Sequence, residues 1–300
     1  MVYTISRQSR DAERMRQMTE TKRLYYEDVY KKEFTAKVLE CREAKKGFHI
    51  ILDESAFYPE GGGQPSDTGR IGEVYVTHVE EKHGVVVHET DAPLEVGSTV
   101  HAAIDWEQRF SNMQQHTGEH IISGLIHAAY GYDNVGFHMG HDEVTVDLNG
   151  PLNWEQLKEI EKKANAVVWA NLPVQVTYPG EEELKTIDYR SKKELTGQVR
   201  IVEIPGADIC ACCGTHVDYT GEIGVIKLGM SEPGEMTRIA NVARVNCAVV
   251  TNIGVAHIEQ LGSKENILKE KLHIQDGMSE DGTLFLNGDD PLLRNVIPEN

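Results

Sequence analysis

His116-Thr117-Gly118-Glu119-His120 lies within Trp106 to Tyr130, a run whose apolar residues Met113, Ile121, Leu125 and Ile126 fall near one stripe. That spacing predicts an α-helix, with Gly131 placed to stop it. In a helix His116 and His120 sit one turn apart on one face. Cys212-Cys213-Gly214-Thr215-His216 repeats the device, with two metal-binding side chains four positions apart beside a glycine. Two imidazoles from the first motif, with a thiolate and an imidazole from the second, make a tetrahedral nitrogen–sulfur set suited to zinc. His116, His120, Cys212 and His216 are the candidate metal ligands and Zn2+ the expected cofactor. A histidine pair at this spacing also arises by chance, so the second pair carries the inference. The site either closes around an ion to hold the fold, or keeps a displaceable position and activates water.

Around that helix the pattern is mixed. Phe34 to Asp105 reads as short alternating strands, such as 34–39 and 85–88, with Gly and Pro punctuation. Regular short strands predict a small β-barrel. Gly61-Gly62-Gly63-Gln64-Pro65 marks a turn there, whose glycines allow positive φ and close backbone approach. After the helix come strands over 144–148, 174–178, 199–204 and 223–228, and a second helix over 154–170 with Asn153 as N-cap. The fold class is α+β. Past residue 228 the order helix 235–244, strand 248–252, helix 258–274, strand 283–286 suggests a partial α/β unit. The expected domains are an N-terminal extension, 1–17, a β-barrel, 18–105, a zinc-binding α+β domain, 106–228, and an α/β segment, 229–300. Met18 is a candidate natural start.

Composition narrows the function. Lys plus Arg number 30 against 48 Asp plus Glu, a net charge of −18. Such a chain does not scavenge phosphates, so a nucleic-acid partner requires a local basic patch. Lys185, Arg190, Lys192, Lys193 and Arg200 cluster suggestively, although a charge run is usually a solvated face. No apolar run reaches membrane-spanning length, and the arginine-rich first residues are not a secretory signal. Five cysteines, three of them within 210–213, fit a reducing cytoplasm and a metal site rather than a disulfide framework.

Some neighbours compete for roles. Cys210 or Cys213 could replace Cys212 as ligand. His138 and His141 are further candidates beside the bland reading of loop histidines, and His127 reads as packing or surface. His116-x-x-Glu119-His120 also matches the H-x-x-E-H pattern of inverzincin peptidases, in which Glu119 is the general base. That reading needs a carboxylate ligand, for which Glu155, Glu159, Glu161 and Glu194 are available, and it leaves the cysteine motif idle.

Five stretches carry a family resemblance: Leu24-Tyr25-Tyr26-Glu27-Asp28, Phe57-Tyr58-Pro59-Glu60-Gly61-Gly62-Gly63-Gln64-Pro65-Ser66-Asp67-Thr68-Gly69, Gln114 to His120, Val135-Gly136-Phe137-His138-Met139-Gly140, and Cys212 to Val217. In this order, over about 18–228, they resemble the alanyl-tRNA editing family, the free-standing AlaX-type proteins related to the editing domain of alanyl-tRNA synthetase. The family's last motif usually reads Cys-Gly-Gly-Thr-His, and here Cys213 replaces the first glycine. The resemblance implies hydrolysis, in trans, of the aminoacyl ester of tRNA(Ala) mischarged with serine or glycine, at a zinc ion on His116, His120, Cys212 and His216. It also implies three catalytic candidates. Thr117 would bond a seryl hydroxyl, Gln64 would contact the substrate or acceptor end, and Glu119 would act as base. Alternatives are a zinc peptidase and a non-catalytic module that binds tRNA or another partner.

The tail is different. Gly229-Met230-Ser231-Glu232-Pro233-Gly234-Glu235-Met236, Thr251 to Glu259 and Leu286-Asn287-Gly288-Asp289-Asp290-Pro291 resemble the central domain of Mur ligases, especially the ligase that adds D-alanyl-D-alanine to UDP-muramoyl-tripeptide. No Gly-x-x-Gly-Lys-Thr phosphate loop accompanies them, and Lys227 stands where that family has glutamate. Neither ATP binding nor ligase activity is expected. The expectation is a fusion or truncation near Lys227–Gly229, with a divergent appendage as the alternative. A partial sheet exposes apolar edges, so 229–300 is expected to be more mobile than 18–228, and limited proteolysis to leave a fragment ending near 230.

Overall fold

Alternation governs the first strand. In β1, Glu33–Glu43, Phe34, Ala36 and Val38 are buried while Glu33, Thr35 and Lys37 face outward. In the computed structural model, β2 (Phe48–Leu52), β3 (Gly69–Ile71), β4 (Val74–Lys82), β5 (Val85–Thr90) and β6 (Thr99–Ile104) join it. They close an antiparallel barrel in the order β1-β2-β5-β4-β3-β6, with β6 pairing back onto β1. Closure leaves no free sheet edge, and the interior is filled by Phe34, Val38, Ile50, Leu52, Ile71 and Val76 among others. The structure describes residues 19–140, 144–191, 197–229, 240, 247–250, 253, 263–279 and 281–296. The extension over 1–17, Met18, His141, Lys192, Lys193, Glu194 and the helix expected over 235–244 (Ala240 apart) lie outside the described residues. The chain divides into two compact units, Met1–Ile226 and Lys227–Asn300.

Helix α1, Trp106–Tyr130, follows the barrel. The Asp105 side chain caps its first turn, and Gly131 ends it at φ 70°. A buried cation joins helix and barrel. Arg109, 0% exposed, donates to Asp67 Oδ1 at 2.9 Å, to the Ala56 carbonyl at 2.6 Å and to the Val29 carbonyl at 3.1 Å. Beyond α1, β7 (Asn134–Met139) and β8 (Val144–Leu148) form a hairpin. Helix α2, Trp154–Trp169, opens with a capping box between Asn153 and Gln156. β9 (Gln175–Thr177), β10 (Ile201–Ile204) and β11 (Asp208–Ala211) form an antiparallel sheet in that order. The strand expected over 223–228 is absent: a 3-10 turn, Thr220–Ile223, leads into irregular chain. The Asn165 amide of α2 explains why. Its Oδ1 accepts Ile226 N at 2.9 Å and its Nδ2 donates to Ile226 O at 2.7 Å, so a side chain meets the backbone demand that a neighbouring strand would otherwise meet.

A buried histidine lies among the barrel strands. His88, 0% exposed, donates from Nδ1 to Ile50 O at 3.1 Å, while its Nε2 faces Ser55 Oγ at 2.8 Å. Burial lowers its pKa from 6.5 to about 4. The unfolded chain therefore binds one more proton between those values, and stability falls as pH drops through that window. The loss is on the order of 3 kcal/mol by pH 4. His88→Gln keeps a donor and an acceptor but does not titrate. It should flatten denaturant-measured stability between pH 6.5 and 4, and an unchanged slope would assign the effect elsewhere.

In the second unit β12, Cys247–Val250, pairs in parallel with β13, Thr283–Leu286. Between them runs helix α3, Lys264–Leu272, capped by Ser263. It starts later than the helix expected over 258–274, whose residues up to 262 lie outside the described ones. Val250, Ile253, Ile267 and Leu293 form a small core. Asp290 accepts the backbone N–H groups of Ile253, Leu292 and Leu293 at 2.8–3.1 Å. Among the described residues no helix is long and apolar enough to cross a membrane.

Candidate metal centre

The four sequence-predicted ligands meet. His116 and His120 leave α1, Cys212 and His216 leave the loop after β11, and their ligand atoms all lie within 4.8 Å of one another. Cys212 Sγ stands 3.5 Å from His116 Nε2. A tetrahedral ion with ordinary Zn–N and Zn–S bonds spaces its donors by roughly 3.3–3.7 Å, the separation this pair shows. A second observation agrees. Among the described residues His216 Nε2 is buried and has no hydrogen-bond partner, a state native interiors rarely tolerate unless an ion or water completes it.

Each imidazole is held from behind. His116 Nδ1 bonds Gln64 Oε1 at 2.9 Å, His120 Nδ1 bonds Asp208 Oδ2 at 2.9 Å, and His216 Nδ1 faces Thr117 Oγ1 at 3.2 Å. With Nδ1 engaged, each Nε2 lone pair is left for the centre. Asp208 is in turn gripped by Arg190, through Nε at 2.7 Å and a terminal nitrogen at 2.8 Å. Burial opposes ionisation of Cys212, but His116 and His120 hold its thiol well below the usual range. Burial pushes His216 down to about 3, leaving a neutral ring able to donate its lone pair. Burial pushes His120 down, but the Cys212 thiolate and the Asp208 carboxylate outweigh it and raise the ring well above its ordinary value, so a metal would displace the Nε2 proton on binding.

The turn chemistry is specific. Gly61 and Gln64 exchange backbone hydrogen bonds at 3.1 and 3.0 Å around Gly62 and Gly63, whose φ values are 63° and 83°. Positive φ at both central residues fits a primed turn and calls for glycine. This turn delivers Gln64 to His116. At Gly214 a Cβ would lie 2.0 Å from His116 Cε1, so the loop needs glycine there. At position 213 the exposed cysteine is accommodated outside the cluster, its Sγ 3.7 Å from the Tyr58 hydroxyl. Cys210 shares a second buried group with His120 and Asp208. Burial pushes its thiol up to about 11, and both Asp208 oxygens already serve Arg190, so that group is a poor ligand set.

The three catalytic candidates lie close by, in differing settings. Gln64 is 1% exposed, and its Nε2 bonds Thr215 Oγ1 at 2.8 Å. Thr117 is 0% exposed, donates to Met113 O at 2.7 Å and accepts Val217 N at 3.2 Å. Both polar groups are taken up within the protein and hold histidines instead of facing solvent. Glu119 Oε1 accepts Ser123 Oγ at 2.5 Å and also Asn134 Nδ2. Among the described residues no carboxylate from α2 joins the cluster, and Glu159 pairs with Lys163. His138 is exposed on β7, and His127 pairs with Asp133 at 2.9 Å. Of the basic candidates, Lys185 pairs with Glu182, while Arg190 and Arg200 border the site.

A cleft of about 770 Å³ opens onto the cluster, lined by His116, His120 and Cys212 together with Glu119, Arg190 and Arg200. Arg200 ties down the ligand loop, donating to Cys212 O at 2.8 Å and Gly214 O at 3.0 Å. Sequence reasoning missed Asp208 as a support for His120. The signal was present as alternation: in β11 Asp208 and Cys210 share the buried face, in phase with Cys212. Asp208→Asn keeps an acceptor for His120 but removes its charge. Metal affinity should fall roughly 10- to 100-fold, read by competition with a chromogenic chelator. Unchanged affinity would deny Asp208 this role.

Fold and site together define a barrel-plus-α+β protein whose histidines and cysteine form a centre able to hold a metal at the base of an open cleft. The chain is 37% identical over 218 residues to the alanyl-tRNA editing protein AlaX-L of Pyrococcus horikoshii, covering 69% of this chain and 53% of that protein. It is 32% identical over 228 residues to the alanyl-tRNA editing protein Aarsd1 of Mus musculus, 70% of this chain and 55% of the relative. Against the alanine–tRNA ligase of Halorubrum lacusprofundi the identity is 36% over 233 residues, 74% of this chain and 25% of the ligase. Over this stretch the chain is a homologue of the alanyl-tRNA editing proteins, and it spans about half the length of those two relatives. The family "tRNA synthetases class II (A)" matches residues 4–108, and "Mur ligase middle domain" matches 209–300. The second match begins upstream of Cys212, ahead of the boundary near 229 read from sequence.

Proposed function

We propose that the chain hydrolyses the aminoacyl ester of tRNA(Ala) mischarged with serine or glycine, using zinc held by His116, His120, Cys212 and His216. The observation that carries this is the convergence of two distant motifs on one point beneath a cleft, in a homologue of alanyl-tRNA editing proteins. A bound zinc ion would supply Lewis acidity toward an ester carbonyl. The chain's residues do the rest. The cleft reaches His116, His120 and Cys212, although all three imidazoles are only 1–3% exposed. This openness favours a working centre over a closed structural knuckle. Gln64, Asp208 and Thr117 orient the three imidazoles, and we assign Gln64 and Thr117 to positioning instead of direct substrate contact. Glu119 lines the same cleft, fixed by Ser123 and Asn134. It is our candidate to take the proton from the attacking water.

The reading places the residues 18–105 barrel and the 106–228 domain in one working body, translation fidelity as its purpose, and the cytoplasm as its site of action. Its test is direct. The purified chain is incubated with Ser-tRNA(Ala), Gly-tRNA(Ala), Ala-tRNA(Ala) and a casein-type peptide, and its metal is measured by elemental analysis. Loss of serine or glycine with alanine retained supports editing. Peptide turnover would favour the inverzincin alternative, and stoichiometric metal without esterase activity a binding module.

A further inference from the structure

The cleft holds more than the reacting centre requires. Tyr178 follows β9, the outer strand of its sheet, and all three β9 residues are exposed. Tyr178 is 45% exposed, yet it lines the same cleft as His116, His120 and Cys212. Tyr26 and Phe137 line it too. Tyr26 is fixed: its hydroxyl donates to Cys213 O at 2.9 Å, and the Arg200 guanidinium lies 5.2 Å from its ring centre. Two more guanidiniums, Arg23 and Arg190, line this cavity in a chain of net charge −18. Guanidiniums and π faces thus border one opening in an acidic chain, with Arg190 paired to Asp208 and Arg23 to Glu81. A large aromatic left exposed there is not explained by core packing.

We propose that Tyr178, backed by Tyr26 and Phe137, is a stacking platform for the base of the nucleotide that carries the ester. The ligand is the unpaired 3′ end of an RNA. This deepens the editing reading and rests on it for the ester. The physical case is general. Unpaired RNA ends are held by aromatic stacking, because every base has a π face, and by guanidinium groups near the phosphates. A cavity of about 770 Å³ is large enough for a nucleoside with an attached amino acid. The stack would fix the ribose, and so aim the ester at the histidines, without reading sequence.

The test uses the full chain with zinc and two probes. The first is a short single-stranded RNA without an attached amino acid, compared with the same RNA lacking its 3′-terminal base. Tyr178→Ala should weaken binding of the intact RNA, measured by fluorescence anisotropy, roughly tenfold, and Tyr178→Phe should restore it. Binding of the abasic RNA should respond to neither change. The second probe is Ser-tRNA(Ala), for which Tyr178→Ala should raise KM with little change in kcat. An unaltered RNA affinity in Tyr178→Ala, or equal losses in the Ala and Phe variants, overturns the stack. So does a change of oligomeric state in Tyr178→Ala with RNA binding intact, which would make this face a protein contact. If base-dependent RNA binding follows Tyr178 but no ester is cleaved, the platform stands and the hydrolase reading fails. If cleavage proceeds with KM untouched by Tyr178→Ala, the hydrolase reading stands and the platform fails.

Discussion

His116→Ala is expected to leave a folded chain with less than one zinc per two molecules and deacylation reduced roughly a thousandfold or more. His116 is one of three donors that line the cleft, and it links the Gly61–Gln64 turn to Cys212 Sγ. Its loss removes a ligand, leaves the Gln64 oxygen with Thr215 N as its remaining described partner, and removes an imidazole that helps hold the Cys212 thiol below its usual range. Metal chemistry of this kind contributes several kcal/mol to a barrier, and each 1.36 kcal/mol is a factor of ten. Elemental analysis and Ser-tRNA(Ala) turnover read the result, with circular dichroism to confirm the fold. Full activity in a zinc-depleted His116→Ala variant would remove the metal from the reaction.

The second large effect is on stability. Arg109→Met should destabilise the first unit by about 3–5 kcal/mol, because it strands the Asp67 carboxylate in an interior where both side chains are 0% exposed. The Ala56 and Val29 carbonyls lose donors as well. A drop of this size corresponds to a shift in Tm on the order of 10 °C for a unit of this length. Arg109→Met combined with Asp67→Asn should recover part of the loss, since Asn still accepts from Tyr58 N, now at 2.7 Å from Asp67, and carries no charge. A single variant as stable as the parent would mean that water replaces the guanidinium.

Much of the site was legible early, because ligand chemistry is local in sequence. Four-residue spacing on a helix fixes which way His116 and His120 point, and Gly214 could be read as relaxing a loop. Helix α1 matched its predicted bounds because one apolar stripe, an Asp cap and a terminal glycine agree. The strand expected over 223–228 failed where a side chain from elsewhere competed. The Asn165 amide takes up both backbone groups of Ile226, and no local propensity records that contact.

The sequence by itself determined the donor types, their helical and loop settings, and the alternation that closes a barrel. These depend on near neighbours and on periodicity. Tertiary structure alone decided what stands behind and in front of the donors: Asp208 with Arg190 behind His120, Gln64 turned inward onto His116, and Tyr178 at the mouth of the cleft. Those pairings join residues from 18 to 88 positions apart. Their energies come from burial and from geometry across elements, which residue order along the chain does not encode directly.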